Sequence, residues 1–72
     1  MTITVRAHGS LRELVPAGTK LEDVGTVGEA IQRLTLPSEL GLAIMVNGRI
    51  ANWNTPLAHG DVLQLVPALA GG

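Results

Sequence analysis

The chain has no cysteine, no phenylalanine and no tyrosine, and Trp53 is its only aromatic residue. Without thiols there are no disulfides, no thiolate metal sites and no cysteine nucleophile, and the composition fits a reducing compartment. Without aromatics the core has to be almost wholly aliphatic. Charge is scarce as well: five Lys and Arg stand against six Asp and Glu, for a formal net charge of −1. There is no basic cluster, so nucleic acid is not an expected partner. No apolar run approaches the roughly 20 residues that span a bilayer, so no membrane partner is expected. The first residues lack the basic and apolar regions of a secretory signal. The expected location is therefore cytoplasmic. His8 and His59 lie far apart, each at a turn, with no clustered carboxylates, so no metal site is expected. Ser10 has no His and Asp partners nearby for a hydrolase triad, and the glycines around Gly25 and Gly28 lack the lysine of a phosphate loop. No residue of this chain is expected to be catalytic, and no cofactor is expected to be bound to it.

What is present is a pattern of short elements. The 72 residues, 46% hydrophobic and 15% charged, make one small domain. Such a chain buries only about 60% of its unfolded surface. Residues 2–7 alternate as a strand with Ile3, Val5 and Ala7 inward. Residues 10–15 predict a short helix capped by Ser10, with Glu13 three positions on and Leu11, Leu14 and Val15 on one face. Residues 19–24 suit an edge strand or a loop, anchored by Leu21 and Val24. Residues 26–35 predict the main helix. Thr26 is its N-cap, Glu29 completes the capping box, and Val27, Ala30, Ile31 and Leu34 form the apolar stripe. Leu36-Pro37 ends it. Residues 42–46 are apolar on both faces, which predicts a strand flanked on both sides. Asn47-Gly48 then signals a hairpin into a short return strand over residues 49–52. Trp53 opens an irregular crossing anchored by Pro56 and Leu57, and a lone Trp there is expected half-buried at the core edge. One long helix over a small mixed sheet is an α+β arrangement.

The rest of the chain is organised around its last thirteen residues. His59-Gly60 turns the chain, and Asp61 is expected to accept backbone hydrogen bonds in that turn. Leu63 and Leu65 alternate with Val62, Gln64 and Val66, as in a strand that would be central to the sheet. Pro67 removes a ladder donor. Ala68-Leu69-Ala70-Gly71-Gly72 predicts a flexible tail. Ala70 and Gly71 are narrow enough to thread a tight slot, and the α-carboxylate of Gly72 is the one functional group at the tip. A carboxylate is a poor electrophile until it is activated, for example as an acyl-adenylate. Leu69, Val66, Gln64 and Pro67, at the strand's outer face and the tail's root, are the candidate docking residues for a partner.

Taken in order, Ser10-Leu11-Arg12-Glu13-Leu14, Thr26-Val27-Gly28-Glu29-Ala30, Val46-Asn47-Gly48, Pro56-Leu57, Gly60-Asp61-Val62, Pro67 and Ala70-Gly71-Gly72 resemble the MoaD/ThiS family of sulfur carriers. The resemblance covers essentially the whole chain. It implies a ubiquitin-like β-grasp domain over residues 1–67, a small mixed sheet packed on one main helix, and a carrier tail over residues 68–72. It implies a carrier rather than an enzyme. A ubiquitin-activating-type adenylyltransferase would use ATP and Mg to adenylate Gly72, and a sulfur donor would convert the adenylate to a thiocarboxylate. A synthase would then use that sulfur. The Leu11-Arg12-Glu13-Leu14 segment and Pro67 look more like the MoaD branch, which serves molybdopterin and supplies the small subunit of its synthase. Leu65 and Val66 stand where that branch commonly has phenylalanine. The ThiS branch, which serves the thiamine thiazole, stays open. So do a protein modifier conjugated through Gly72 and a ubiquitin-like binding module whose tail is incidental. Lys20 is the only lysine, so chains built through side-chain amines would have one position.

Overall fold

The computed structural model describes residues 1–36 and 41–67. Strand β1 spans Thr2–Ala7 and β2 spans Lys20–Glu22; helix α1 spans Val27–Leu34; β3 spans Leu42–Val46, β4 Arg49–Ile50 and β5 Val62–Pro67. The five strands form one sheet in the order β2-β1-β5-β3-β4. The chain's last strand is thus the middle one. It pairs parallel with β1, Val5 opposite Leu63 and Ala7 opposite Leu65, and antiparallel with β3, Ile44 opposite Leu65 and Val46 opposite Leu63. The expectation of a central last strand and an α+β β-grasp holds.

Alternation puts Leu63 and Leu65 on one face of the sheet, and both are wholly buried. Ile3, Val5 and Ile44 join them from the flanking strands, and Val27, Ala30 and Ile31 close the core from α1. Every one of these side chains is aliphatic. Fully burying one is worth about 1.5–3 kcal/mol, and no aromatic adds to the sum.

The entry to α1 is over-determined. Val27 N–H donates to Thr55 O at 3.0 Å, and Gly28 N–H donates to Trp53 O at 2.9 Å. Glu29 N–H donates to Thr26 Oγ1 at 3.2 Å. The first three helical donors are therefore paired, which an ordinary helix end leaves to caps or water. The Glu29 carboxylate accepts from the Gly25 amide, one residue earlier than the capping box expects. The Trp53 ring lies over Gly28: a Cβ there would stand 3.3 Å from its Cε3 and 3.1 Å from Trp53 O. Trp53 is 53% exposed, the half-covered position expected for it. At the other end Thr35 adopts φ +52° and closes the helix.

Three expectations are corrected. Residues Gly9–Glu13 form a 3₁₀-helix whose N-cap is His8, with no side-chain cap, so Ser10 does not cap it. Gly9, at φ +60°, opens it, and a Cβ there would stand 3.4 Å from the Pro67 ring. Leu11 and Val15 turn inward, with Val15 N–H on Leu11 O at 2.9 Å, while Leu14, the C-cap just past the helix, is 53% exposed. Strand β3 is covered on one face only: Ile44 is buried but Ala43 is exposed. Its second apolar side faces away from α1. The return strand β4 is also shorter than expected. The Asn47-Gly48 turn has positive φ at both residues, the hairpin geometry its sequence predicts.

Asp61 joins that hairpin to the start of β5. Its Oδ2 accepts from Ala58 N–H at 2.8 Å and its Oδ1 from Asn47 Nδ2 at 2.9 Å. Asn47 Oδ1 in turn accepts from Val62 N–H at 2.9 Å. The Ala58 amide, and then the Asn47 amide, hold the Asp61 carboxyl below its ordinary value of 3.8.

Truncating Leu65→Ala should cost about 2–5 kcal/mol, and equilibrium urea unfolding should show it as a lower midpoint at unchanged slope. Because the folded state depresses the Asp61 pKa, its stabilisation is complete above the unfolded value of about 3.9 and disappears as pH falls through the folded value. The stability gap between the native chain and Asp61→Asn should therefore be constant near neutral pH and narrow below pH ~4. A gap that widens with acid would contradict it.

Candidate functional site

The face of the sheet turned away from α1 is the candidate site. Register places Arg6, Gln64, Met45 and Ile50 in one row across β1, β5, β3 and β4. Val66 and Ala43 make the next row, toward the end of β5. Thr4 and Val62, with Lys20 at the edge, make the row on the other side. Val62, Val66, Met45, Ala43 and Ile50 thus make an apolar surface along β5 and toward β3 and β4, while Arg6 stands opposite Gln64 on β1. Ile50 is 91% exposed. An apolar group of this kind on a small domain, rimmed by Arg6, Lys20 and Thr4, is the signature of a partner-binding face.

Of the residues expected to dock a partner, Gln64 and Val66 lie on this face. Pro67 does not. It follows Val66 by one residue, opposite Leu42, and its ring meets the Gly9 backbone on the helix side. Leu69, Ala70, Gly71 and Gly72 lie outside the described residues, as does the boundary of the expected tail. Met45, Ala43, Ile50 and Arg6 are on the face and were not singled out by the sequence. The signal was there: residues 42–46 are apolar on both sides, and only one side can meet a single helix.

Among the described residues no group of His, Cys, Asp and Glu is placed to hold a metal ion. The same residues contain no helix long and apolar enough to cross a membrane. The α1 N-terminus has its donors paired to protein, so it is no anion site. His59 Nδ1 accepts from Thr2 N–H at 3.0 Å, and Asp61 is bound in the turn, so both are occupied structurally. Arg33 donates to Glu22 O at 3.1 Å, which ties α1 to β2.

A two-layer β-grasp with an open apolar sheet face and a central last strand defines the class of small ubiquitin-like proteins. Within that class the model of the ThiS family matches residues 5–72, and the chain belongs to that family, whose members are small carrier proteins and not themselves enzymes. A chain in the complex of subunits 1 and 2 of molybdopterin-converting factor from Helicobacter pylori is 31% identical, with all of each chain covered and a TM-score of 0.72. SAMP1, a small archaeal modifier protein from Haloferax volcanii, has a TM-score of 0.79 at 21% identity, again over all of both chains. Urm1 from Trypanosoma brucei has a TM-score of 0.75 at 22% identity, covering 99% of this chain and 95% of that one. The last two likenesses are of fold. A comparison with curated protein sequences finds no significant match.

If the outer face is free of core packing, Ile50→Glu should shift stability by no more than about 0.5 kcal/mol in urea unfolding, whereas the same change at Ile44 should prevent folding. A large loss at Ile50 would mean that this side is packed.

Proposed function

We propose that the chain is a sulfur carrier of the MoaD type and that Gly72 is its working residue. An adenylyltransferase of the ubiquitin-activating kind docks on the outer sheet face and takes up residues 68–72. A Gly72 carboxylate oxygen attacks the α-phosphorus of ATP, held with Mg by that enzyme, and pyrophosphate leaves. Hydrosulfide released by a donor then attacks the acyl carbon, AMP leaves and the thioacid loses its proton, so that the chain ends in a thiocarboxylate. The thiocarboxylate is a soft nucleophile, and a synthase uses it to place sulfur in the molybdopterin precursor. In that complex the carrier acts as the small subunit.

The observation that carries this reading is the family match, which runs through to Gly72. The likeness to the Helicobacter pylori complex, at 31% identity over both whole chains, favours the molybdopterin branch over the thiamine branch. The geometry supports both partners. Val66 and Gln64 sit on the open face at the end of the strand from which residues 68–72 continue. The two small residues Gly71 and Ala70 suit a narrow entry to an adenylation site.

The chain co-expressed with its activating enzyme should gain a thiol-alkylatable group at Gly72. With no cysteine in the chain, alkylation reports the thiocarboxylate without background, and it separates sulfur transfer from methionine oxidation, which adds nearly the same mass. Val66→Asp should lower the yield by about tenfold or more, as expected for a charge placed in a docking centre, with the fold intact by circular dichroism. An alkylation-negative tail in the presence of a competent enzyme would refute the proposal. Isopeptide adducts resistant to thiols would move the assignment to a protein modifier.

A further inference from the structure

A backbone amide nitrogen can attack the side-chain amide of the asparagine before it, and it does so most readily when it belongs to glycine, which has no Cβ to crowd the approach. The chain has three asparagines. Asn52 precedes Trp53 and Asn54 precedes Thr55, whose side chains hinder the attack. Asn47 alone precedes a glycine. Asn47 and Gly48 are both exposed, and a Cβ on Gly48 would meet nothing within 4 Å. Water reaches the pair freely, and no neighbour blocks ring closure.

What restrains the reaction is the junction with β5. Asn47 N–H donates to Val62 O at 2.9 Å. At the other end of the same residue, Oδ1 accepts from Val62 N–H and Nδ2 donates to Asp61 Oδ1, each at 2.9 Å. The second Asp61 oxygen is held by Ala58 N–H at 2.8 Å. Both ends of the Asn47 amide are therefore bound, which fixes its plane. Ring closure needs Cγ to turn onto the Gly48 nitrogen, and that rotation breaks both side-chain bonds. The reactive pair is thus held back by the clamp rather than by burial, and it is released when the hairpin parts from β5. Openings of this kind occur locally, short of global unfolding.

We propose that Asn47-Gly48 is a deamidation site gated by the fold, and that reaction there marks irreversibly a chain whose hairpin has opened. The Gly48 nitrogen bonds to Asn47 Cγ and gives its proton to water or hydroxide. The Cγ–Nδ2 bond breaks, and the nitrogen leaves as ammonia. One water then opens the five-membered imide at either carbonyl, leaving aspartate or isoaspartate at position 47. One water is consumed, one ammonia is released, and nothing is oxidised or reduced. The product carries a carboxylate where Nδ2 donated to Asp61. Two like charges then face each other with no donor between them, which is destabilising, and isoaspartate also lengthens the turn by one backbone carbon. The clamp cannot close again as it was. Val62, the first residue of β5, stands on the outer sheet face, so the mark reaches that face. The inference does not depend on the sulfur chemistry at Gly72, and either assignment can fail alone.

The test incubates the full chain in mildly alkaline buffer, with and without urea above the unfolding midpoint, and follows the amide-to-acid mass change by peptide mapping. Reaction should be confined to Asn47 and at least about tenfold slower in the folded chain, the factor being set by the free energy of opening. Asp61→Ala should speed it about tenfold in the folded chain, as the loss of a bond to a charged group implies. Ile31→Val, which weakens the core without touching the clamp, should leave the rate near that of the native chain. Asp61→Asn, which keeps the shape and loses the charge, takes the place of Asp61→Ala if circular dichroism shows the latter unfolded. The deamidated chain, separated by anion exchange through its added negative charge, should unfold at lower urea than its parent. Asn47→Asp should do so at lower urea than Asn47→Ser, which drops the donor without adding the charge. Equal rates with and without urea would overturn the gate. Equal acceleration by the Asp61 and Ile31 variants would place control in global unfolding instead of the clamp. An unchanged midpoint in the deamidated chain would mean that the reaction leaves no mark.

Discussion

Everything in this fold hangs on the pairing of β5 with two strands that never touch each other. β1 and β3 lie on opposite sides of it, one parallel and one antiparallel. Leu63 and Leu65, the two inward residues of β5, are the point at which both halves of the sheet and α1 meet. They carry no polar atom in their side chains, and the core offers no aromatic to share the burden. A core of Ile, Leu, Val and Ala in a domain this small has little margin. The remaining stability comes from satisfied backbone: the helix entry against Trp53 and Thr55, and the Asp61–Asn47 clamp that sets the first residue of β5.

The same constraint makes the two faces of the sheet unequal. A single eight-residue helix can cover only one side of five strands. The apolar side chains on the other side, Val62, Val66, Met45 and Ile50, are thus left for a partner by geometry. Their rows are fixed by the register of β5, so the surface that a partner meets and the strand that leads to residues 68–72 are one object. Under the proposed function, the docking face and the chain end are thus tied to the same strand.

Much of this was legible in the residues. Thr26 and Glu29 announced the helix, Asn47-Gly48 the hairpin, and the alternation of Leu63 and Leu65 the central strand. The turn role of Asp61 followed from its place after Gly60. Four features were not legible, each for a physical reason. The pattern Ser10-x-x-Glu13 reads as a capping box, but the turn is entered from His8 through Gly9 at positive φ and winds as a 3₁₀-helix, with Gly9 beside Pro67, 58 positions on in sequence. Residues 42–46 read as doubly buried because apolarity does not say whether the second cover is this chain or another. The outward rows need strand order, which alternation within one strand cannot supply. The Thr19 N–H, which donates to Pro16 O at 3.2 Å, is likewise invisible: Thr-Lys-Leu-Glu is an ordinary edge strand until Pro16 competes for its donor.

The parallel pairing of β1 with β5 has a consequence for the order in which the molecule can come into being. Until residues 62–67 exist, the two hairpin-like halves, β1 with β2 and β3 with β4, have a strand-wide gap between them and no shared ladder. Contacts as distant as Thr4 with Asp61 must then form late, which makes assembly of the sheet a non-local, slower event. The outer face, whose central row runs through Gln64, comes into existence in that same step. An enzyme that, as proposed, docks on this face before it takes hold of the chain end would therefore select folded copies: unfolded ones display the same last residues but not the surface beside them.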